Sequence, residues 1–161
     1  MADIFISHIH EEAIPARGLR RYLGHSELDS FLSSENWQIM LGERWFDKVL
    51  RELENAKIVI LMLSPASVTR PWISFEAGWA WSKNKVTIPA CYAGLKLGEM
   101  PRPYSELQGV DLEADYSTLI GQCRNHLGKT SLLPVSPWGQ VDRYLRALKG
   151  EWVIPPPQDL K

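Results

Sequence analysis

Between residues 71 and 81 the chain reads PWISFEAGWAW, a single carboxylate, Glu76, set among three tryptophans, a phenylalanine and several small residues. At helical spacing Glu76 shares a face with Trp72, one turn before it, and with Trp79 and Ala80, one turn after it. A carboxyl walled by indoles is desolvated. Desolvation raises its pKa and strengthens every electrostatic interaction it makes, which is useful in catalysis and costly in a purely structural position. The structural alternative is a helix acid satisfied by Arg70 or Lys83. Ala77, Gly78 and Ala80 allow such a helix to approach a sheet closely.

One acid without a second at obvious spacing does not suit glycoside hydrolysis by a carboxyl pair. Cleavage of the nicotinamide glycosidic bond needs only one, because the departing pyridinium is already cationic and leaves as neutral nicotinamide without protonation. What remains is charge stabilisation: a carboxylate steadies an oxocarbenium-like ribose while indoles stack on the cationic ring. The other chemistry-bearing residues read more plainly. Ser7 has no adjacent base and no G-x-S-x-G elbow, so it is a hydroxyl contact rather than a nucleophile. His8 and His10 read as strand-end or loop residues. Cys91 and Cys123 are far apart, without a C-x-x-C or a Cys/His cluster, and read as small buried hydrophobes rather than zinc ligands or a disulfide.

The elements that must position these residues alternate. Asp3 to Ser7 (DIFIS) predicts a strand and Glu11 to Leu23 a helix; Leu28 to Leu32 is a short second strand, and Ser33 to Leu41 a long loop. Trp45, Phe46, Val49, Leu50 and Leu53 recur at helical spacing after Gly42. Lys57 to Leu63 (KIVILML) is continuously apolar, the mark of a central strand covered on both faces. Pro71 suits the first turn of a helix running to about Lys83. Val86 to Tyr92 is a fourth strand in which Pro89 implies a bulge or an edge, and Gln108 to Leu112 a short fifth. Helices are expected over Tyr116 to Leu127 and over Val141 to Lys149, the latter with Ser136 as N-cap and Gly150 as stop. This βα alternation implies a parallel sheet with helices on both faces and a ligand site beyond the strands' carboxyl ends. The candidate segments are therefore Ser7 to His10, Ser33 to Leu41, Ser64 to Trp72 and Tyr92 to Leu97.

Lys and Arg number 18 against 19 Asp and Glu, so no net field draws the chain to nucleic acid or an anionic membrane. The start, MADIFISHIH, lacks the flanks of a signal peptide, and no run approaches a membrane span, which fits a cytoplasmic setting. A receiver domain would need an aspartate after the third strand, where LMLSP has none. A dinucleotide-binding fold would need G-x-G-x-x-G after the first, where SHIHEE stands.

The segments DIFISHIHEE, GERWFDKVLRELENAKIVILMLSPASVTRPWISFEAGWAW and VTIPACY, in that order, resemble a Toll/interleukin-1 receptor (TIR) domain of the bacterial type over about residues 2 to 130. The resemblance implies an α/β, three-layer flavodoxin-like fold, a parallel sheet of about five strands with helices on both faces. It implies that Glu76, in the W-x-x-x-E that begins at Trp72, is the catalytic residue of NAD⁺ cleavage. Ser7 and His8 would then lie beside the substrate, with the loop around Trp37 covering it. Where bacterial relatives carry S-H-A-x-E-D, this chain has SHIHEE, with bulky Ile9 and basic His10. NAD⁺ is expected as substrate, with no further cofactor and no metal, and self-association with other TIR domains is expected to complete the site. The output would be nicotinamide with ADP-ribose or cyclic ADP-ribose, in cellular defence; the rival is an adaptor or scaffold module that does no chemistry. The TIR domain is assigned to residues 1–130, an additional helix packing on it to 131–150, and a Pro-rich tail or linker to 151–161, leaving a fused or separate sensor domain as a further expected partner.

Overall fold

The structure, a computed structural model, describes residues 2–33, 41–42 and 44–129. Five strands, β1 (Ile4–Ser7), β2 (Ser30–Leu32), β3 (Ile58–Leu63), β4 (Val86–Cys91) and β5 (Val110–Asp111), form one sheet in the order β2-β1-β3-β4-β5. Every pairing is parallel. Among the described residues four helices connect or follow them: α1 (Ala13–His25), α2 (Trp45–Asn55), α3 (Pro71–Ser82) and α4 (Leu112–His126).

The strands' period of two divides the core into two layers. Ile4, Ile6, Ile58, Ile60 and Met62 pack with Ala16, Leu19 and Leu23 of α1 and Leu119, Ile120 and Cys123 of α4. The alternate residues, Phe5, Val59, Leu61 and Leu63, pack with Val49 and Leu53 of α2 and Ile73, Ala77 and Ala80 of α3. The result is the expected three-layer α/β arrangement, with β3 buried along its whole length. Among the described residues no helix is long and apolar enough to cross a membrane.

Two expectations change in detail. Pro89 lies in a strand with neighbours on both sides, in unbroken register opposite Leu61, so it marks neither a bulge nor an outer strand. It is tolerated because β5 pairs only with Ala90 and Cys91, so the side of β4 facing β5 has no ladder bond for Pro89 to forfeit. Gly109 then passes so close that a Cβ there would come within 3.0 Å of the Pro89 carbonyl oxygen. The fourth helix starts at Leu112 rather than Tyr116. The expected start is nevertheless visible as a kink, because Asp115 leaves helical geometry and accepts hydrogen bonds from Ser117 Oγ and Thr118 Oγ1. Asp111 caps the added turn through the backbone N–H groups of Glu113 and Ala114. The expected helix over Val141 to Lys149, the 151–161 tail and Trp37 lie outside the described residues.

Candidate active site

The sheet order places its topological switch between β1 and β3, whose carboxyl ends are where a fold of this order holds its ligands. Ser7 ends β1, Ser33 follows β2 and Ser64 follows β3. Parity turns Ser7 toward the layer holding α3, since it is two residues beyond Phe5. The β1–β2 register, Ile6 opposite Leu32, sets Ser33 beside it, and Ser33 N–H donates to the Ile6 carbonyl at 3.1 Å. Ser33 Oγ also accepts from His8 N–H at 3.2 Å and lies 3.4 Å from the His8 carbonyl.

Across from this pair, α3 begins with Pro71 in its first turn and buries Ile73, Glu76, Ala77 and Ala80, an apolar stripe interrupted by one acid. Glu76 has 0% of its surface exposed. Burial pushes its carboxyl up to about 8, while the facing Ser7, Ser33 and Trp72 pull the other way. Those neighbours stop short of proper bonds: among the described residues neither Glu76 oxygen, nor Ser7 Oγ, nor Trp72 Nε1 completes a hydrogen bond. A buried polar group left unpaired costs about 1–3 kcal/mol, and four such atoms lie on these three neighbouring residues; among the described residues Ser30 Oγ is the one further buried side-chain atom without a partner.

The sequence-predicted residues Ser7, Trp72 and Glu76 are therefore brought together, and His8 is buried next to them with its Nδ1 3.4 Å from the Ile6 carbonyl. Neither Arg70 nor Lys83 serves the acid. Arg70 Nη2 donates to Glu11 at 2.6 Å, and Lys83 Nζ sits 5.6 Å from the ring centre of Trp79. The second expected indole wall is thus differently used: Trp79 packs on the core, and the carboxyl faces one indole and two serines. Trp72 itself belongs to an aromatic row, 4.8 Å from Trp45 and 5.6 Å from Phe75 between ring centres.

Two residues here are not marked by the sequence reading: Ser33, which opens the candidate loop Ser33 to Leu41, and Glu12. The signal for Ser33 was present: IFIS, SFLS and LMLS each end an apolar strand in serine. Glu12, in the helical turn His10–Glu12 after β1, accepts from Ser64 Oγ at 2.8 Å and from the Tyr92 hydroxyl. It ties that turn to the ends of β3 and β4.

Above Trp72 opens a cleft of about 340 Å³, lined by residues 8–11, by Trp45 and by residues 70–72 at the start of α3. Its size is that of a small-molecule site. Glu76 is not in its lining; the acid lies behind Trp72, which is shared by both.

A doubly wound domain with a cleft at its switch point and an unpaired acid beneath it is an α/β ligand-site fold in its general class. The chain belongs to the TIR domain family, whose model matches residues 4–123. A stimulator of interferon genes protein of Magallana gigas is 30% identical over 122 residues, which span 66% of this chain and 29% of that relative's length. Among solved structures, a metazoan TIR-STING receptor from C. gigas in complex with 2′,3′-cGAMP matches 84% of this chain and 41% of its own, at a TM-score of 0.60 and 24% identity. The TIR domain of the Toll-related receptor TRR-2 from Hydra magnipapillata matches 80% of this chain and 97% of its own, at a TM-score of 0.59 and 15% identity. These likenesses concern the fold.

Proposed function

We propose that this TIR domain is an NAD⁺-cleaving enzyme of the bacterial type, releasing nicotinamide and forming ADP-ribose or cyclic ADP-ribose in cytoplasmic defence signalling. The observation that carries the reading is the unpaired Glu76 carboxyl meeting Ser7, Ser33 and Trp72 under the cleft. An acid kept buried and unbonded is held for a charge that arrives from outside. Buried as it is in this structure, it is neutral at pH 7; a cationic nicotinamide riboside brought beside it favours the ionised form, so ionisation is coupled to binding. The carboxylate then steadies the oxocarbenium as the glycosidic bonding pair leaves with nicotinamide, and the two serine hydroxyls serve as contacts for ribose hydroxyls. Water or a hydroxyl of the same molecule captures the ribosyl cation, giving the linear or the cyclic product.

One observation favours the second reading, a TIR adaptor without chemistry. Glu76 is sealed from solvent, while Phe46 and Phe75 are 42% and 40% exposed on the outer side of α2 and α3, as a contact face would be. Incubating concentrated protein with NAD⁺ and resolving nicotinamide, ADP-ribose and cyclic species separates the two. The enzyme reading expects all nicotinamide release to depend on Glu76 and specific activity to rise with protein concentration as copies associate. The adaptor reading expects no release at any concentration and partner binding indifferent to Glu76→Gln.

A further inference from the structure

The cleft above Trp72 is chemically two-sided. Trp45 and Trp72 form an apolar wall, and His8, His10, Glu11 and Arg70 supply the polar one. Arg70 precedes the first turn of α3, and Glu11 stands on the turn after β1, so their ion pair crosses the cleft from one element to the other. The bond from Arg70 Nη2 to Glu11 Oε1 is short at 2.6 Å, yet both side chains remain open to water, 46% and 59% exposed. Among the described residues Glu11 is the one hydrogen-bond partner of this guanidinium, which has five donors to offer. The turn carrying Glu11 is not free to drift, because the neighbouring Glu12 is bonded to Ser64 and Tyr92. Glu11 is thus presented to Arg70 by a fixed support, and burial does not explain the pair.

We propose that Arg70 is the phosphate-binding residue of this cleft and that Glu11 is its built-in competitor, holding the guanidinium until a phosphate-bearing ligand displaces it. An exposed ion pair contributes little, so its exchange costs little. A phosphate ester gives the planar guanidinium two parallel bonds and more charge than one carboxylate oxygen does, so the exchange runs toward the ligand. The pair occupies the guanidinium when the cleft is empty and screens out neutral aromatic molecules, which meet the tryptophan wall but cannot displace Glu11. The inference rests on the NAD⁺ reading only for which phosphate ester arrives, here the pyrophosphate of a dinucleotide.

The test is calorimetric titration of the full chain with ADP-ribose, with adenosine and inorganic pyrophosphate as competitors, for the wild type, Arg70→Gln, Glu11→Gln and the double variant. The expected result is a loss of ~10-fold or more in ADP-ribose affinity for Arg70→Gln. Glu11→Gln should tighten binding by up to ~5-fold, and that gain should vanish in the Arg70→Gln background. Pyrophosphate should compete and adenosine should not. Equal affinity of wild type and Arg70→Gln, a Glu11→Gln effect that persists without Arg70, or absence of ADP-ribose binding to the wild type would each overturn the proposal. Both side chains are exposed, so unchanged melting temperatures are expected throughout. Failure of the catalytic reading looks different: no nicotinamide release, with Arg70-dependent ADP-ribose binding intact.

Discussion

Two glutamates lie at the carboxyl edge of the same sheet and differ in almost every physical respect. Glu12 is partly exposed and accepts hydrogen bonds from Ser64 and from Tyr92, whose phenol is held well above its usual range by burial and by that bond. Glu76 is fully buried, faces three donors and bonds none of them. Glu12 therefore acts as a strut: its charge is spent on fixing a turn to two strand ends. Glu76 has its bonding capacity still unspent, and only an incoming group can use it. Residue type and sheet edge are common to both; the number of satisfied bonds makes one a strut and is the ground on which chemistry is proposed for the other.

The comparison breaks most sharply at Glu76. Glu76→Gln keeps shape and removes the ionised form, so NAD⁺ cleavage is expected to fall by at least ~10²-fold with the fold intact. Nicotinamide release at the wild-type rate from the variant would end the catalytic assignment.

The next effect is on stability and has a definite sign. Glu76 has a folded pKa of about 8 against an ordinary 4.5, so between those values the folded chain holds a proton that the unfolded chain has lost. Stability is then fully present below about pH 4.5 and declines as pH rises toward 8. At 1.36 kcal/mol per unit the decline attributable to this group between pH 5 and 8 is roughly 3 kcal/mol. Urea denaturation across that range should show the slope in the wild type and lack it in Glu76→Gln. A wild-type slope that survives in the variant would mean that Glu76 is already ionised in the folded protein.

Glu12→Ala should behave in the opposite way. It strands the buried Tyr92 hydroxyl, while Ser64 Oγ retains Ser67 as a partner, so a loss of about 1–3 kcal/mol is expected at every pH from 5 to 8. Cleavage assayed well below the melting temperature should drop far less than in Glu76→Gln. A stable Glu12→Ala protein with abolished turnover would reverse the two roles.

How much of this was legible in the chain follows the range of the interactions involved. KIVILML could be read as the central strand and Pro71 as a helix start because each signal is local. The acid stood out for the same reason, since one helical face contains both it and Trp72. Its other neighbours are not legible from local spacing: the family resemblance names Ser7 and nothing singles out Ser33, because both meet the acid only through the β1–β2 register and the side of the sheet that α3 covers. The assignment of Trp79 to the acid failed because a helical face spans about a third of the cylinder, and tertiary packing chose one edge of it. Arg70 is a possible partner for Glu76 by nearness in sequence, but the sequence-distant Glu11 takes it. Pro89 misled because a strand can be interior in the sheet and still have an unpaired side where its neighbour is only two residues long.

The smallest effect expected separates the three donors that face Glu76 and fail to bond it. Each favours the ionised carboxyl, Ser7 the most and Trp72 the least. Removing one should therefore push the pKa further up, not down, because the desolvation that dominates is left in place. Ser7→Ala should raise it by under about one unit and Trp72→Phe by less, for the indole N–H is lost while an aromatic ring remains to pack near Trp45 and Phe75. The measurement is carboxyl carbon-13 NMR of Glu-labelled protein over pH 5 to 9, with Glu76→Gln identifying the resonance, so that it needs no catalytic activity. The order Ser7→Ala above Trp72→Phe above wild type is the expected one. A fall in pKa in either variant would mean that the lost side chain had been keeping water from the acid rather than offering it a proton, and the seal would then matter more than the donors.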